Sequence, residues 1–546
     1  MDISYRPSML RLIAVAATAI LTLSACPATS GGPPVRGASS KTPSSVMRRD
    51  CERLPELARR VRRGHVRGAS PDINLIPRVP NYIGAASSPV HSGPWDYLAR
   101  VPLLIHGPGT IRTGRFEDRV TMADLAPTAA ALVGSARFRA PDGRVLREAL
   151  KRQVRAPRLV VTVVWDGGGW NVLDRHAQSH PFFDRLSRRS ATFTDMEIGS
   201  SPSVTPPVHA TLSTGAFPRR HGIPALRIRE RLEYVDPFFG LDPSNMKRPT
   251  LADVYDRETK NRAVTGMLAA VNWHLAMIGQ GAGRAGGDRD PVVLFDDAGK
   301  TFGNPALYSV PDIDRPRALK RTAEGLDAAD GSRDGRWRGH RLRDPQVRYA
   351  TPAHVQYQQM LLERFIASEK FGQDNVSDLL YVNFKPIDDA GHAWGMNSTE
   401  TALTLEAQDN ALDRLVTYLD RKVGAKRWVL FLTADHGQTP YPRESGGWAI
   451  AGGELTRDAN AALDNTDDGV DLVDQVSSPG AYLNRSQLKA NDVTKSEVAR
   501  WMAGYTLSQN LKGSDEVPGR FEGREAELLF DAALVGDGPA LSKACL

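Results

Sequence analysis

The run Leu159-Val160-Val161-Thr162-Val163-Val164-Trp165, closed by Asp166 and three glycines, constrains the fold more than any other stretch of the chain. A run of apolar and β-branched residues without alternation fits a strand buried on both faces, as in the middle of a parallel sheet covered by helices on each side. Asp166 then stands at the C-terminal end of that strand, where open α/β sheets place their ligands. Two further runs repeat the pattern. Leu379 to Phe384 leads into Lys385-Pro386-Ile387-Asp388-Asp389-Ala390-Gly391-His392, and Trp428 to Leu432 leads into Thr433-Ala434-Asp435-His436-Gly437. Asp388 and His392 are one helical turn apart and so share a helix face. Asp389 competes with Asp388 if the register shifts by one, but the four-residue spacing favours Asp388. Asp435 and His436 are adjacent, so only a tight turn aims both the same way. Mixed carboxylate and imidazole donors suit zinc.

Between the first and second runs lies Ser203-Val204-Thr205-Pro206-Pro207-Val208-His209, continuing to Gly215 and then Phe217-Pro218-Arg219-Arg220-His221-Gly222-Ile223. This stretch resembles the alkaline phosphatase superfamily, in particular its type I phosphodiesterase and nucleotide pyrophosphatase branch. The resemblance implies that Asp166 is a metal ligand and Thr205 the nucleophile. It also implies two Zn²⁺ ions, with other divalent metals left open: one on Asp388, His392 and a last histidine, the other on Asp166, Asp435, His436 and the Thr205 oxygen.

In such proteins the last histidine comes from a closing segment at the C-terminal end. Here His436 is the last of 12 histidines. The block that resembles the closing segment, Val90 to Tyr97, Val101 to Gly109 and Thr121 to Thr128, precedes Asp166, and His91 matches the missing ligand. The expected fold is therefore an α/β three-layer sandwich with a mostly parallel central sheet, alkaline phosphatase-like and circularly permuted. Residues 51–150 correspond to the usual C-terminal segment, joined to the first strand through Lys151 to Pro157. Ends of compact domains often lie close together, which makes such rewiring inexpensive. Over 288–349 the periodicity weakens and Arg, Asp and Pro accumulate, which predicts an inserted cap. Cys51 and Cys545 would clasp the new ends if paired; two unpaired thiols are the alternative.

The same branch usually carries an Asn for a phosphate oxygen at the position that falls near Leu226. Arg227, Lys385 and Asn272 are the candidates to replace it. The Cys/Ser-x-Pro-x-Arg motif of sulfatases is missing from Thr205-Pro206-Pro207. His106, His209, His221 and His274 match no ligand position and are expected to pack or to support ligands. The glycine-rich run Gly279 to Gly287 lacks a Gly-Lys-Ser/Thr ending and reads as a loop.

A net charge of +7 and a pI near 9.2 fit anionic substrates or envelope polymers as well as they fit a solvated surface. No nucleic-acid motif is present. Arg6 and Arg11 precede an apolar segment, Leu12 to Ala25, that ends in Leu23-Ser24-Ala25-Cys26 and resembles a bacterial lipobox. The reading is a lipoprotein signal peptide over 1–25 with lipidation at Cys26, a Pro, Gly and Ser-rich tether over 26–50, and the catalytic domain over 51–546. A plain secretory signal is the alternative. The expected location is the extracytoplasmic face of a bacterial cell membrane, through an N-terminal lipid anchor. The expected activity is hydrolysis of a small-molecule or envelope phosphodiester or phosphoanhydride through a phospho-threonine. The alternatives are a phosphomonoesterase or phosphonate hydrolase, an envelope phosphotransferase and a non-catalytic surface binding lipoprotein. Oligomeric state is not legible in the sequence.

Overall fold

Side chains along Leu159–Trp165 alternate between two separate cores. Val160 and Val164 join one, with residues of the helices Leu125–Val133, Thr205–Thr214 and Leu251–Thr259. Leu159, Val161, Val163 and Trp165 join the other, with residues of Pro316–Ala329, Pro352–Ser368 and Thr399–Leu419. A strand wedged between two helical layers has no polar face, which is why its sequence shows no polar alternation. The computed structural model describes residues 55–152, 155–231, 233–511 and 518–536. Cys26, Cys51 and Cys545, and with them the expected signal peptide, lipidation site, tether and disulfide, lie outside the described residues.

The central sheet has nine strands. Five consecutive ones, in spatial order Val292–Phe295, Thr265–Ala269, Asp378–Phe384, Leu159–Trp165 and Trp428–Thr433, are mutually parallel. Beyond Trp428–Thr433 lies Leu103–His106, which runs antiparallel to it with Leu103 opposite Thr433. The beginning of this strand therefore sits at the same edge of the sheet as the ends of its parallel neighbours. The chain that leads into it carries His91 to that edge.

A second, four-stranded antiparallel sheet places Ile73–Pro77 between Gly480–Leu483 and Phe530–Val535. Ile73 pairs with Val535, and the Gly536 N–H donates to the Asp72 carbonyl at 2.9 Å. The first and last described strands are thus direct neighbours. Among the described residues no helix is long and apolar enough to cross a membrane.

The segment 288–349, expected as a cap, is only partly one. Val292–Phe295 and Thr301–Phe302 belong to the central sheet. The part outside the sheet comprises the helix Pro316–Ala329, the hairpin Arg336–Trp337 with His340–Arg341, and the short helix Pro345–Tyr349. Trp337 meets Trp394 with ring centroids 5.7 Å apart, and Arg338 donates to Glu400 at 3.1 Å, so this part packs beside the helix that bears His392.

Candidate metal centre

Three adjacent parallel strands end at one place, and each hands over part of the site. Asp166 follows Leu159–Trp165 directly. Asp378–Phe384 passes through Lys385 into the helix Pro386–Trp394, whose first turn holds Asp388 and whose last turn holds His392. After Trp428–Thr433 the chain leaves the sheet and bends at Asp435, which lets Asp435 and His436 face the same space. Two glycines permit these close approaches. At Gly167, with φ +68°, an added Cβ would lie 3.0 Å from the Asp388 backbone, and at Gly437 it would lie 2.2 Å from the Tyr97 carbonyl.

Two donor sets result. His436 Nε2 lies 3.5 Å from an Asp166 oxygen and 3.4 Å from an Asp435 oxygen, and all three side chains are 0% exposed. His91 Nε2 and His392 Nε2 each lie 3.5 Å from Asp388 Oδ1, but the donors that converge with Asp388 and His91 are completed by His436 and not by His392. The two sets touch where the His91 ring stacks on His436, with centroids 3.6 Å apart. His392 approaches Asp388 from the outer side and its side chain is 32% exposed. Asp388, not Asp389, makes these contacts, as the helical spacing predicts.

The donor atoms fit a metal on two grounds. His436 Nε2, Asp388 Oδ1 and Asp435 Oδ2 are buried with no hydrogen-bond partner, a costly state for polar atoms unless something else binds them. Donors at the usual distance from a tetrahedral zinc lie about 3.4 Å apart, close to the separations observed. The far ring nitrogens are fixed as metal-binding histidines require. His91 Nδ1 donates to the Ser203 carbonyl at 2.8 Å and His436 Nδ1 to the Gly437 carbonyl at 3.1 Å, which leaves each Nε2 with a free lone pair.

Thr205 opens the helix Thr205–Thr214 and is 2% exposed. Val204 before it is extended, and Pro206 and Pro207 fix the first turn, where missing N–H donors cost nothing. The neighbours of Thr205 are tied to both donor sets. Ser203 holds His91, and His209, one turn further, has Nε2 3.5 Å from Asp435 Oδ2.

Of the three residues considered for phosphate, only Lys385 is joined to carboxylates of the donor sets. Its ammonium donates to Asp166 at 3.2 Å and also to Asp388. Burial works against ionisation of Asp388, but Lys385 and then the neighbouring histidines outweigh it and hold the carboxyl well below its ordinary range. Arg227 is exposed and donates to the Tyr234 carbonyl at 2.7 Å. Asn272 is tied to Asp236 at 2.9 Å and to Phe238.

Two supports, Asn383 and Gln438, have no counterpart in the motif reading, whereas His209 and His274 were expected to pack or to support ligands. Asn383 donates to Asp166 at 3.0 Å, and Gln438 bridges the Gly167 and Ile387 carbonyls at 3.2 and 3.1 Å. His274 pairs with His209 through their Nδ1 atoms at 3.2 Å, so one donates to the other. Together with Asp166, these two histidines form a further group of converging donors. His106 and His221 instead bond locally, to Ser190 and to Thr211 and Ile223.

The sequence profile of type I phosphodiesterase / nucleotide pyrophosphatase matches residues 160–522, more than half of the chain. The chain belongs to this family. The match begins one residue into the Leu159–Trp165 strand, so His91 lies upstream of it. Among curated proteins, alkaline phosphatase PhoV of Synechococcus elongatus is 23% identical over 360 residues, 56% of this chain and 64% of that protein. Alkaline phosphatase PafA of Elizabethkingia meningoseptica is 24% identical over 329 residues, 52% of this chain and 60% of that protein. The chain thus spans less than two thirds of the length of either relative. The crystal structure of PafA aligns with a TM-score of 0.51 at 19% identity, covering 67% of this chain and 79% of that one, which shows the shared fold.

Proposed function

We propose that the protein is a metal-dependent phosphohydrolase that cleaves phosphodiesters or phosphoanhydrides through a phospho-threonine intermediate. The observation that carries this reading is the pair of donor sets, buried except for His392, at the ends of three adjacent strands, flanked by the helix that begins with Thr205. Asp166, Asp435 and His436 would hold one zinc, with the Thr205 oxygen, and Asp388, His392 and His91 the other. Two such ions supply Lewis-acid stabilisation of charge on both sides of a phosphorus undergoing in-line displacement. Thr205 Oγ1 attacks phosphorus, the ester or anhydride oxygen leaves, and water then cleaves the phospho-threonine. Lys385, held between Asp166 and Asp388, adds a fixed positive charge where the transferred group is anionic.

In this reading the segment that carries His91 is the family's closing segment moved to the front of the chain. The pairing of Ile73 with Val535 supports that order, since it brings the rearranged ends together. Export and lipid attachment at Cys26 belong to the same proposal; mass spectrometry of the mature N-terminus tests them. A second reading, phosphomonoester hydrolysis, draws support from the two alkaline phosphatases among the relatives. Zinc-loaded protein assayed on bis-p-nitrophenyl phosphate and on p-nitrophenyl phosphate separates the readings. The proposal expects faster turnover of the diester, and a Thr205→Ala variant slower by at least about 10³-fold when assayed in excess zinc, where Asp166, Asp435 and His436 still hold their ion. Turnover of neither ester, or unchanged turnover in Thr205→Ala, would overturn the mechanism; preference for the monoester would select the second reading.

A further inference from the structure

A second group of converging donors lies at the other end of the sheet. Thr265–Ala269 runs parallel to Asp378–Phe384 and Leu159–Trp165, so its first residue, Thr265, is at the edge opposite Asp166. The Thr265 hydroxyl donates to Asp290, two residues before the neighbouring strand Val292–Phe295. Asp256, on the helix Leu251–Thr259, and the exposed Asp288 complete a trio whose ligand oxygens all lie within 4.8 Å of one another.

Asp256 is 2% exposed, yet its Oδ1 has no hydrogen-bond partner. The Asn261 amide, with its nitrogen turned inward, reaches only the other oxygen, Oδ2, at 3.1 Å. The nearby cations are engaged elsewhere: Arg257 Nε donates to the Asp253 carbonyl at 2.9 Å, and Arg284 pairs with the Asp253 carboxylate at 3.2 Å. A buried carboxyl whose Oδ1 has no donor, beside two further carboxylates, is stable only with a cation or a shared proton. The donors are all oxygen, which selects a hard cation and not zinc. Two oxygens bound to one calcium can be up to about 5 Å apart, and the oxygens of this trio lie within 4.8 Å of one another.

We propose that Asp256, Asp288 and Asp290 bind one Ca²⁺ ion, which ties the loop over 279–290 to the helix Leu251–Thr259 and is separate from the catalytic centre. Without the ion, burial and the neighbouring carboxylates push Asp256 up to about 7. A folded-state value raised in this way gives stability at low pH that is lost as pH rises through 7. A bound cation removes that loss, so its effect is best read at pH 8.

The test uses full-length, zinc-loaded protein dialysed against calcium chloride at pH 8. One Ca²⁺ per chain should be retained, and tryptic cleavage at Arg284 and Arg289 should slow roughly tenfold when calcium is about ten times its Kd. Asp288→Asn, at an exposed position where folding should be preserved, should lose both effects while phosphoester turnover stays unchanged. Asp290→Asn, which keeps a partner for Thr265, should do the same. Absence of bound calcium in the wild type overturns the proposal, as does equal protection in both variants. So does protection of the wild type by acidification alone, the sign of a shared proton.

Discussion

The two halves of the candidate metal centre are built differently. In the inner half, Asp166, Asp435 and His436 are 0% exposed, and Asp166 and Asp435 come from chain that leaves a central strand within two residues. In the outer half, Asp388 and His392 stand on a helix, His392 is 32% exposed, and His91 arrives from chain upstream of the family match. The sheet core rigidly supplies one half, whereas the other depends on a helix turn and on a segment from elsewhere in the sequence. The inner half should therefore be the tighter site and the outer half the one that tolerates and responds to change.

The largest effect should come from Lys385, which neutralises both halves. Lys385→Met leaves Asp166 and Asp388 buried without their shared cation, so metal-free protein should lose about 3–5 kcal/mol of stability. Added zinc should restore most of it, and denaturant melts with and without zinc read both. An equal loss in the metal-loaded protein would show that Lys385 serves packing alone.

Asp435→Asn should remove the inner zinc and leave the outer one, reducing metal content from two per chain to one. His392→Ala should only weaken the outer site, by about 10- to 100-fold in affinity. The reverse order would break the contrast between the halves.

Protons should separate the halves as well. Burial, opposed by Lys385 and reinforced by Asp388, pushes Asp435 up to about 7 in the metal-free protein, whereas Asp388 is held well below its ordinary range. Burial and then Asp435 hold Asp166 above its ordinary range too, so below pH 7 zinc must displace a proton from Asp435 at least, and each further unit of acidification should cost the inner site at least about tenfold in affinity. The outer site should change less over pH 7 to 6. Zinc titrations of metal-free protein at the two pH values measure this, and parallel weakening of both sites would contradict it.

Much of this contrast was legible in the sequence. Uninterrupted apolar runs marked the central strands because a strand covered on both faces needs no polar positions. The four-residue interval from Asp388 to His392 marks one helical turn, and with no histidine after His436 the last ligand had to lie upstream, at His91. Other parts had no local signal. Val292–Phe295 is a short run between charged residues, so it read as cap although it pairs with Thr265–Ala269. Arg227 and Asn272 are near the motif in sequence, but nearby backbone and side-chain groups claim them first. The His209–His274 pair joins a helix to a distant turn, so their supporting role was expected from nearness to the motifs but their pairing had no local signal.

The central claim is that His91 completes the outer half of the centre. Zinc content of His91→Ala, measured by elemental analysis after dialysis at pH 8 beside the wild type, tests it most directly. The account predicts two zinc ions per chain in the wild type and one in the variant, with the inner site retained. Two ions per chain in both proteins, held with equal affinity, would contradict it.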